Sequence, residues 1–496
     1  MTALRPEILE QLSGFIDRRL GLHFPESRHR ELLRGLARAA TELGMSGPEE
    51  LARLILSGHA DQRLLDVLAG NLVIGETYFF RDKRLLELLR QEVLPDLLRK
   101  ARVQGRGLRI WSAGCCSGEE PYTLAMIVKE LSPDGQPPVT ILATDLNPRF
   151  LDKARRGIYR EWSFRETPER ARQAWFRPLP DGAWELSPEI RAMVSLASLN
   201  LAADPYPAME NRTNGQDLIL CRNVLMYFSP RLGLRVVSKL HRCLVEDGLL
   251  VVGPSEGALV TRSGLFGVSL GERGILYRRV PCPPDAPAAA GMPAPAPEPW
   301  RLSEPPDTRP SSEPEAPGLL DKHAREGAIP MEQALHDARA AFERGCYSEA
   351  GARLAAVDRA RLSKPQRGLL AHLTARLLAG SGDLGNAEKA CREAVAEDKM
   401  HAGHHYLLAV ILQEMRRLEE AVEAFRKALY LDQDFILAHF SLGMLLGELG
   451  REEESRRGFE NALAGLAKLD RGKVVPESEG LTAGRLTEII QAMTGC

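Results

Sequence analysis

A short apolar run, Leu108 to Ala113, is followed by the small residues Gly114 to Gly118 and then by Glu119-Glu120-Pro121. Pro121 suits the first turn of a helix, where its missing N–H costs nothing. From Tyr122 to Leu131 apolar residues recur at helical spacing. This stretch limits the fold most. A buried strand, a small-residue loop and a helix N-terminus make the corner where open α/β sheets hold their ligands. The loop has neither G-x-G-x-x-G nor G-x-x-x-x-G-K-[ST], and it carries two carboxylates where a pyrophosphate needs only N–H groups. A ligand at this corner is expected to carry positive charge. The plainer reading is that Glu119 and Glu120 only favour the first helical turn through the macrodipole.

Strands and helices alternate after this corner. Val139 to Thr144 reads as a strand ending at Asp145, with a helix from Pro148 to Arg156. Val194 to Leu199 reads as a strand ending at Asn200, and Asp217 to Cys221 as one ending at Arg222-Asn223. Arg231 to Leu244 is a helix, and Leu249 to Gly253 and Gly274 to Val280 are strands. Such alternation means an α/β doubly wound, mainly parallel sheet over residues 76–280. The segment around Trp162, Trp175 and Trp184 fits less well and is expected as a small insertion at about 160–190. Before the sheet, residues 1–75 read as a helical domain, with Leu9, Leu12, Phe15, Ile16 and Leu20 the first of four apolar runs at helical spacing. An amphipathic helix is expected at 84–101.

The segment 281–330 is expected as a Pro/Ala-rich linker. Its first part, 281–317, carries 13 of the chain's 33 prolines, a composition that is semi-extended and poor in core formers. From about 331 a repeat emerges. Leu378, Leu412 and Leu446 are 34 residues apart, as are Cys391, Phe425 and Phe459, and Ala394, Ala428 and Ala462. This period, with a small residue and an aromatic at fixed offsets, resembles the tetratricopeptide repeat. Repeats are expected over 331–470, with a degenerate one around Tyr347 and Ala350 and a tail at 471–496. Linkers of such composition hold modules apart, so the repeats are expected to stand off from the sheet and to leave the active site alone.

Four strand ends then face one edge of the sheet: the Ala113–Glu120 loop, Asp145, Asn200-Leu201 and Arg222-Asn223. Asp145 is placed to accept from ribose hydroxyls, Asn200 to pair with an adenine edge, and Leu201 to offer an apolar face. With the acidic corner, this set points to S-adenosylmethionine. The net charge of −2 gives no sign of nucleic acid as a partner. No apolar run reaches the ~18 residues of a membrane span. The eight cysteines lack C-x-x-C spacing and suggest neither a metal site nor a disulfide frame. A cytoplasmic location is expected.

From about 5 to 280 the chain resembles the chemotaxis receptor methyltransferase (CheR) family. The motifs that carry the resemblance are Glu76-Thr77-Tyr78-Phe79-Phe80-Arg81, Arg109-Ile110-Trp111-Ser112-Ala113 through Gly118-Glu119-Glu120-Pro121-Tyr122, Ala143-Thr144-Asp145, and Cys221-Arg222-Asn223-Val224-Leu225-Met226-Tyr227-Phe228. The resemblance implies methyl transfer from S-adenosylmethionine to glutamate side chains in the cytoplasmic domain of a chemoreceptor. It also implies cofactor contacts from Thr77, Arg81, Ala113, Glu119, Asp145, Asn200, Leu201, Arg222 and Asn223. Gly75, counted with them, stands where many members have Asn. In some members the β-subdomain grips a receptor's C-terminal peptide. The turn Pro178-Leu179-Pro180-Asp181-Gly182 looks short, as in members that need no such peptide.

A glutamate carboxylate, with a pKa near ~4.3, is ionised at neutral pH and needs no general base to attack a methyl sulfonium. Arg81 and Tyr227 are expected beside the methyl group, orienting the carboxylate. The repeats are expected to recruit a protein partner. Two other readings stay open on the sequence: a scaffold that binds the cofactor without turnover, and a methyltransferase for a different signalling protein.

Overall fold

Leu108–Ala113 (β1) is buried at every position, and so is Gln216–Cys221. Continuous burial marks central strands covered on both faces, which is why these segments read as apolar runs instead of alternating. The structure, a computed structural model, describes residues 4–280 and 337–494 apart from His59, Ile74, Glu272, Arg273 and the stretches 339–340, 342–346, 360–361, 381–382 and 479–480. The expected linker at 281–330 lies outside the described residues.

The strands after β1 are Val139–Asp145 (β2), Ile158–Tyr159 (β3), Phe176–Pro178 (β4), Trp184–Leu186 (β5), Val194–Ser198 (β6), Gln216–Cys221 (β7), Leu244–Val252 (β8), Phe266–Gly271 (β9) and Gly274–Arg279 (β10). Seven form one sheet in the order β6-β2-β1-β7-β8-β10-β9. The first five run parallel, and β10 is antiparallel to both β8 and β9. Strand order reverses at β1, so the switch point lies between β1 and β7, where ligands of such sheets sit. Strand β9 had no counterpart in the sequence reading. The insertion is a separate three-stranded sheet, β3-β5-β4, closed by Phe79, Tyr159, Phe164 and Phe176 packed ring on ring.

Four helices make the N-terminal domain: Pro6–Leu20 (α1), His29–Glu42 (α2), Pro48–Leu56 (α3) and Gln62–Leu72 (α4). Their core holds Leu12, Ile16, Leu32, Leu36, Leu51 and Leu68. The next helices are Lys83–Leu88 (α5) and Leu94–Val103 (α6), joined by one π turn at Leu89–Val93, then Glu119–Leu131 (α7) and Pro148–Arg156 (α8). Glu169–Trp175 (α9), Pro188–Ala192 (α10), Pro230–Cys243 (α11) and Gly257–Ser263 (α12) complete the sheet domain. The N-terminal domain sits on the carboxyl edge of the sheet. His23 N donates to Tyr227 O at 2.8 Å and Asn200 Nδ2 to Arg19 O at 2.8 Å.

The repeats comprise Tyr347–Ala355 (α13), Lys364–Gly380 (α14), Leu384–Glu397 (α15), Ala402–Glu414 (α16), Leu418–Leu431 (α17), Ile436–Glu448 (α18) and Glu452–Leu466 (α19). Phe425 and Ala428 are fully buried in their common core, as are Cys391 and Ala462, and Ala394 is fully buried too. Cys391 thus fills the place an aromatic takes in the later repeats. Residues 471–494 do not trail away as a tail. They include the helix Ala483–Thr494 (α20), whose Leu486 and Ile490 join the same core.

The expectation that the repeats stand off from the sheet is overturned. Arg109 Nη1 lies 3.1 Å from Glu414 Oε2, both side chains buried, and Asn214 Nδ2 donates to Ala379 O at 3.0 Å. The contact falls at the amino ends of β1 and β7, the edge opposite the ligand corner. Proline content predicts that a connector does not fold on itself; it does not decide whether the modules it joins have complementary faces.

Candidate functional site

The loop after β1 is tied to β2 by two amides, since Gly114 N and Cys115 N both donate to Thr144 O at 2.8 and 2.9 Å. Gly114 has φ +81°, and a Cβ there would lie 2.3 Å from Val224 Cγ2, so the turn admits no side chain. Asp145 closes β2. Its Oδ2 accepts from Cys116 N and its Oδ1 from Asn147 N, both at 2.8 Å. Burial pushes this carboxyl above the usual range, and those amides pull it back. Burial and the Asp145 charge push the Cys116 thiol up to about 12, and Cys115 is raised well above its ordinary value by the same causes.

Arg222, at the end of β7, is fixed between two carboxylates: Nη1 to Glu120 Oε2 at 3.2 Å and Nη2 to Asp82 Oδ2 at 2.9 Å. Glu120 also accepts from Ser112 Oγ at 2.7 Å. The following residue, Asn223, has φ +59°. Its turn is held by Glu256, 2% exposed, which takes four backbone amides. Oε2 accepts from Gly253 N and Asn223 N, and Oε1 from Val224 N and Met226 N. The sequence reading missed Glu256. Its signal was a Glu three residues after Gly253 at the start of a helical turn, where its carboxylate accepts from the Gly253 amide at 2.7 Å.

These strand ends and the N-terminal domain enclose a cavity of about 1060 Å³ of empty space, part of it open to solvent. Gly75, Thr77, Arg81, Asp145, Asn200, Leu201, Arg222, Asn223 and Tyr227 line it together, with Glu120 of the acidic corner and the unforeseen Leu146, Phe150, Leu20, Leu22 and Val73.

Ala113 and Glu119 do not line the cavity. Ala113 is buried beneath the loop. Glu119 is fully buried on the far side of the helix start, where it accepts from Ser117 Oγ at 2.8 Å and Ser163 Oγ at 3.0 Å, with Lys153 Nζ 3.6 Å away. It joins the loop to the insertion, and Glu120 supplies the wall carboxylate. The two residues are about 100° apart around the helix, so only one can face the cavity.

Asn200 lines the cavity, but its side chain is engaged. Oδ1 accepts from Ala202 N and Ala203 N while Nδ2 holds Arg19 O. It acts as a clasp to α1 in this arrangement, not as a free amide for a base edge. Gly75 is set against Phe150: a Cβ would lie 2.2 Å from Phe150 Cζ and 2.8 Å from Cys116 Sγ.

The mouth is aromatic and lined with arginines, of which Arg28 pairs with Glu31 at 2.9 Å and Arg165 with Glu76 at 3.3 Å. The Tyr78 ring has Arg81 Cζ at 5.6 Å and Arg165 Cζ at 3.6 Å from its centroid. Arg28 Cζ lies 5.8 Å from the Tyr227 ring centroid, and Trp162 stands exposed beside Arg165. Burial raises the Tyr227 phenol, and the Arg28 charge lowers it.

The residues present fit S-adenosylmethionine. Glu120 and Asp145 complement positive charge, and Leu201, Leu146 and Phe150 give an apolar bed. Arg222 Nε is buried without a partner in the protein, a donor at the wall with its hydrogen bond unmade. Among the described residues no cluster of His, Cys, Asp or Glu could hold a metal ion, and no helix is long and apolar enough to cross a membrane.

The family model described as "CheR methyltransferase, SAM binding domain" matches residues 75–273, and that of a tetratricopeptide repeat matches 405–435. The chain is 31% identical over 270 residues to chemotaxis protein methyltransferase 1 of Pseudomonas aeruginosa, covering 53% of this chain and 94% of that protein. It is 31% identical over 255 residues to chemotaxis protein methyltransferase Cher2 of Pseudomonas putida, covering 50% of this chain and 89% of the other. A chemotaxis protein methyltransferase of Borreliella burgdorferi is 35% identical over 196 residues, 39% of this chain and 66% of that one. With a carboxylate-walled cavity at the switch point of its sheet and the two Pseudomonas relatives matched over 94% and 89% of their length, the chain belongs to the S-adenosylmethionine-dependent chemotaxis methyltransferase (CheR) family.

Proposed function

We propose that the chain transfers the methyl group of S-adenosylmethionine to glutamate side chains in the cytoplasmic region of a chemoreceptor, giving methyl esters. The observation that carries this is the mouth: Arg81 and Tyr227 line a cavity whose inner wall is acidic, while Arg28, beside the Tyr227 ring, is held by Glu31. A carboxylate is drawn to that rim, and a cation to the wall behind it. When bound, the cofactor supplies an electrophilic methyl group on a sulfonium.

In this reading Glu120 and Asp145 hold the amino-acid and ribose ends, Leu201 and Phe150 bed the base, and Arg222 and Asn223 shape the floor. Thr77 and Gly75 close the side nearest the N-terminal domain. Arg81 and Tyr227 orient the incoming carboxylate, which is already ionised. Alignment of nucleophile, methyl carbon and sulfur can supply roughly 7–11 kcal/mol of the barrier. The exposed Trp162 and the short β4–β5 turn form the surface that meets the receptor, without a requirement for its C-terminal peptide. The work is done in the cytoplasm, where the receptor's substrate region lies.

The test is to incubate the full chain, radiolabelled cofactor and a receptor cytoplasmic fragment. Label released as methanol by mild alkali supports the glutamate ester. Alkali-stable label, or none on the receptor while the cofactor binds, refutes it.

A further inference from the structure

Stacked helix pairs of this repeat class form a concave surface along their first helices, which binds partner segments. In this chain that surface is taken. Its first helices are α14, α16 and α18, and one short segment of the methyltransferase domain touches all three. Asn214 Nδ2 donates to Ala379 O on α14 at 3.0 Å. Arg212 Nε lies 3.3 Å from Glu414 Oε1 on α16, and Arg212 Nη2 lies 3.8 Å from Glu448 Oε2 on α18. Met209, 5% exposed, is buried in the repeats' apolar core with Tyr406 and Val410. From Gly403 to Leu412 every residue of α16 is buried, in a core that takes Val475 as well as Met209, and Glu477 lies 3.5 Å from Arg376 on α14.

The chemistry of the contact is specific. Glu414 and Glu448 occupy equivalent positions, 34 residues apart, in successive repeats. Glu414 is nearly sequestered from water and also faces Arg109. A buried carboxylate demands a cationic partner; Arg109 is the nearer at 3.1 Å, and Arg212, at the end of a turn that Thr213 and Asn211 tie together, is the second at 3.3 Å. The groove therefore selects an apolar side chain and, three positions later, an arginine. None of the cavity-lining residues belongs to this segment, so the contact serves no step of methyl transfer.

We propose that Met209–Asn214 is the resident ligand of the repeat groove, and that an outside partner engages by presenting the same apolar-x-x-Arg pattern and displacing it. The receptor reading of the active site is not needed for this. Because the resident segment is tethered, an outside competitor works against a local concentration of order millimolar.

A fluorescent peptide with the chain's own residues 205–216 is titrated into the full chain and read by anisotropy. Wild type should bind it at least ~10-fold more weakly than the Met209→Ala and Arg212→Ala chains, in which the resident ligand is weakened. Adding Glu414→Ala to either variant should abolish the binding. Cofactor binding, read in parallel, reports that the methyltransferase domain is intact. Where Arg212→Ala fails that check, Met209→Ala decides. Equal affinity in wild type and the intact variants overturns the proposal, as does absent binding in both. A wild-type chain that dimerises with concentration and binds the peptide only as monomer also overturns it, since the segment would then fill the groove of a second copy.

Discussion

Replacing Glu256 by Gln tests whether one carboxylate organises the floor of the cofactor cavity. Its two oxygens take four amides, at 2.7 and 2.9 Å on Oε2 and at 2.7 and 3.3 Å on Oε1. An amide side chain keeps one acceptor and turns an NH₂ toward the other two donors. The pair lost with least strain is Val224 N and Met226 N, because it contains the longest bond. Hydrogen bonds to a charged group contribute roughly 1.5–3 kcal/mol each. At 2% exposure water cannot replace them, and the long bond counts for less, so the loss is about 3 kcal/mol. With a urea slope of about 1–3 kcal/mol/M for a domain of this class, the unfolding midpoint should fall by about 1 M or more. Asn223, held at φ +59° by the same carboxylate, loses its support, and cofactor affinity should fall by about tenfold or more. Urea unfolding followed by tryptophan fluorescence and calorimetric titration of the cofactor read the two effects. A midpoint within about 0.3 M of wild type together with an unchanged Kd refutes the reasoning.

Asp145→Asn should weaken cofactor binding by about 1–3 kcal/mol. In wild type the affinity should decline on acidification at a pH above the usual carboxylate range, because burial raises this group and its ionised form does the accepting; titration calorimetry across pH reads both. Arg81→Ala and Tyr227→Phe should lower turnover more than cofactor affinity, and a Tyr227→Phe enzyme with normal kcat returns that ring to a packing role. Gly75→Asn should lower cofactor affinity, since its Cβ meets Phe150, and adding Phe150→Ala should recover part of the loss, measured by the same titration. Burial holds His372 down to about 3 and His404 to about 4, against about 6.5 unfolded. The stability these rings contribute is complete above about 6.5 and is lost as pH falls toward 4. A circular-dichroism unfolding midpoint for His372→Asn should therefore depend less on pH over that window than wild type does.

Much of this was legible from periodicity. The parallel strands were found because burial on both faces writes them as apolar runs, and their carboxyl ends located Asp145, Leu201, Arg222 and Asn223 at one cavity. The repeat was legible because equivalent positions share one environment 34 residues apart. Choosing between Glu119 and Glu120 required the rotational phase of α7 against the sheet, which adjacent residues do not encode. The engagement of Asn200 was not legible because its partner, the carbonyl of Arg19, is a backbone group 181 residues away. Strand β9 was missed because it pairs only with β10 at the sheet's edge. The docking of the repeats rests on Arg109, Arg212 and Glu414, charged residues far apart in the sequence whose pairing no periodicity encodes.

Two adjacent thiols border a cavity built for a methyl donor, and sulfur is the better nucleophile by far. A thiolate there would consume the cofactor and alkylate the enzyme. The nucleophile is the thiolate and not the thiol. With Cys116 pushed up to about 12 and Cys115 also raised, both are held as thiols at neutral pH. The incoming carboxylate, a weaker nucleophile but fully ionised, meets no competitor from the wall. The burial that shapes the loop after β1 thus also disfavours the thiolate form beside the methyl donor.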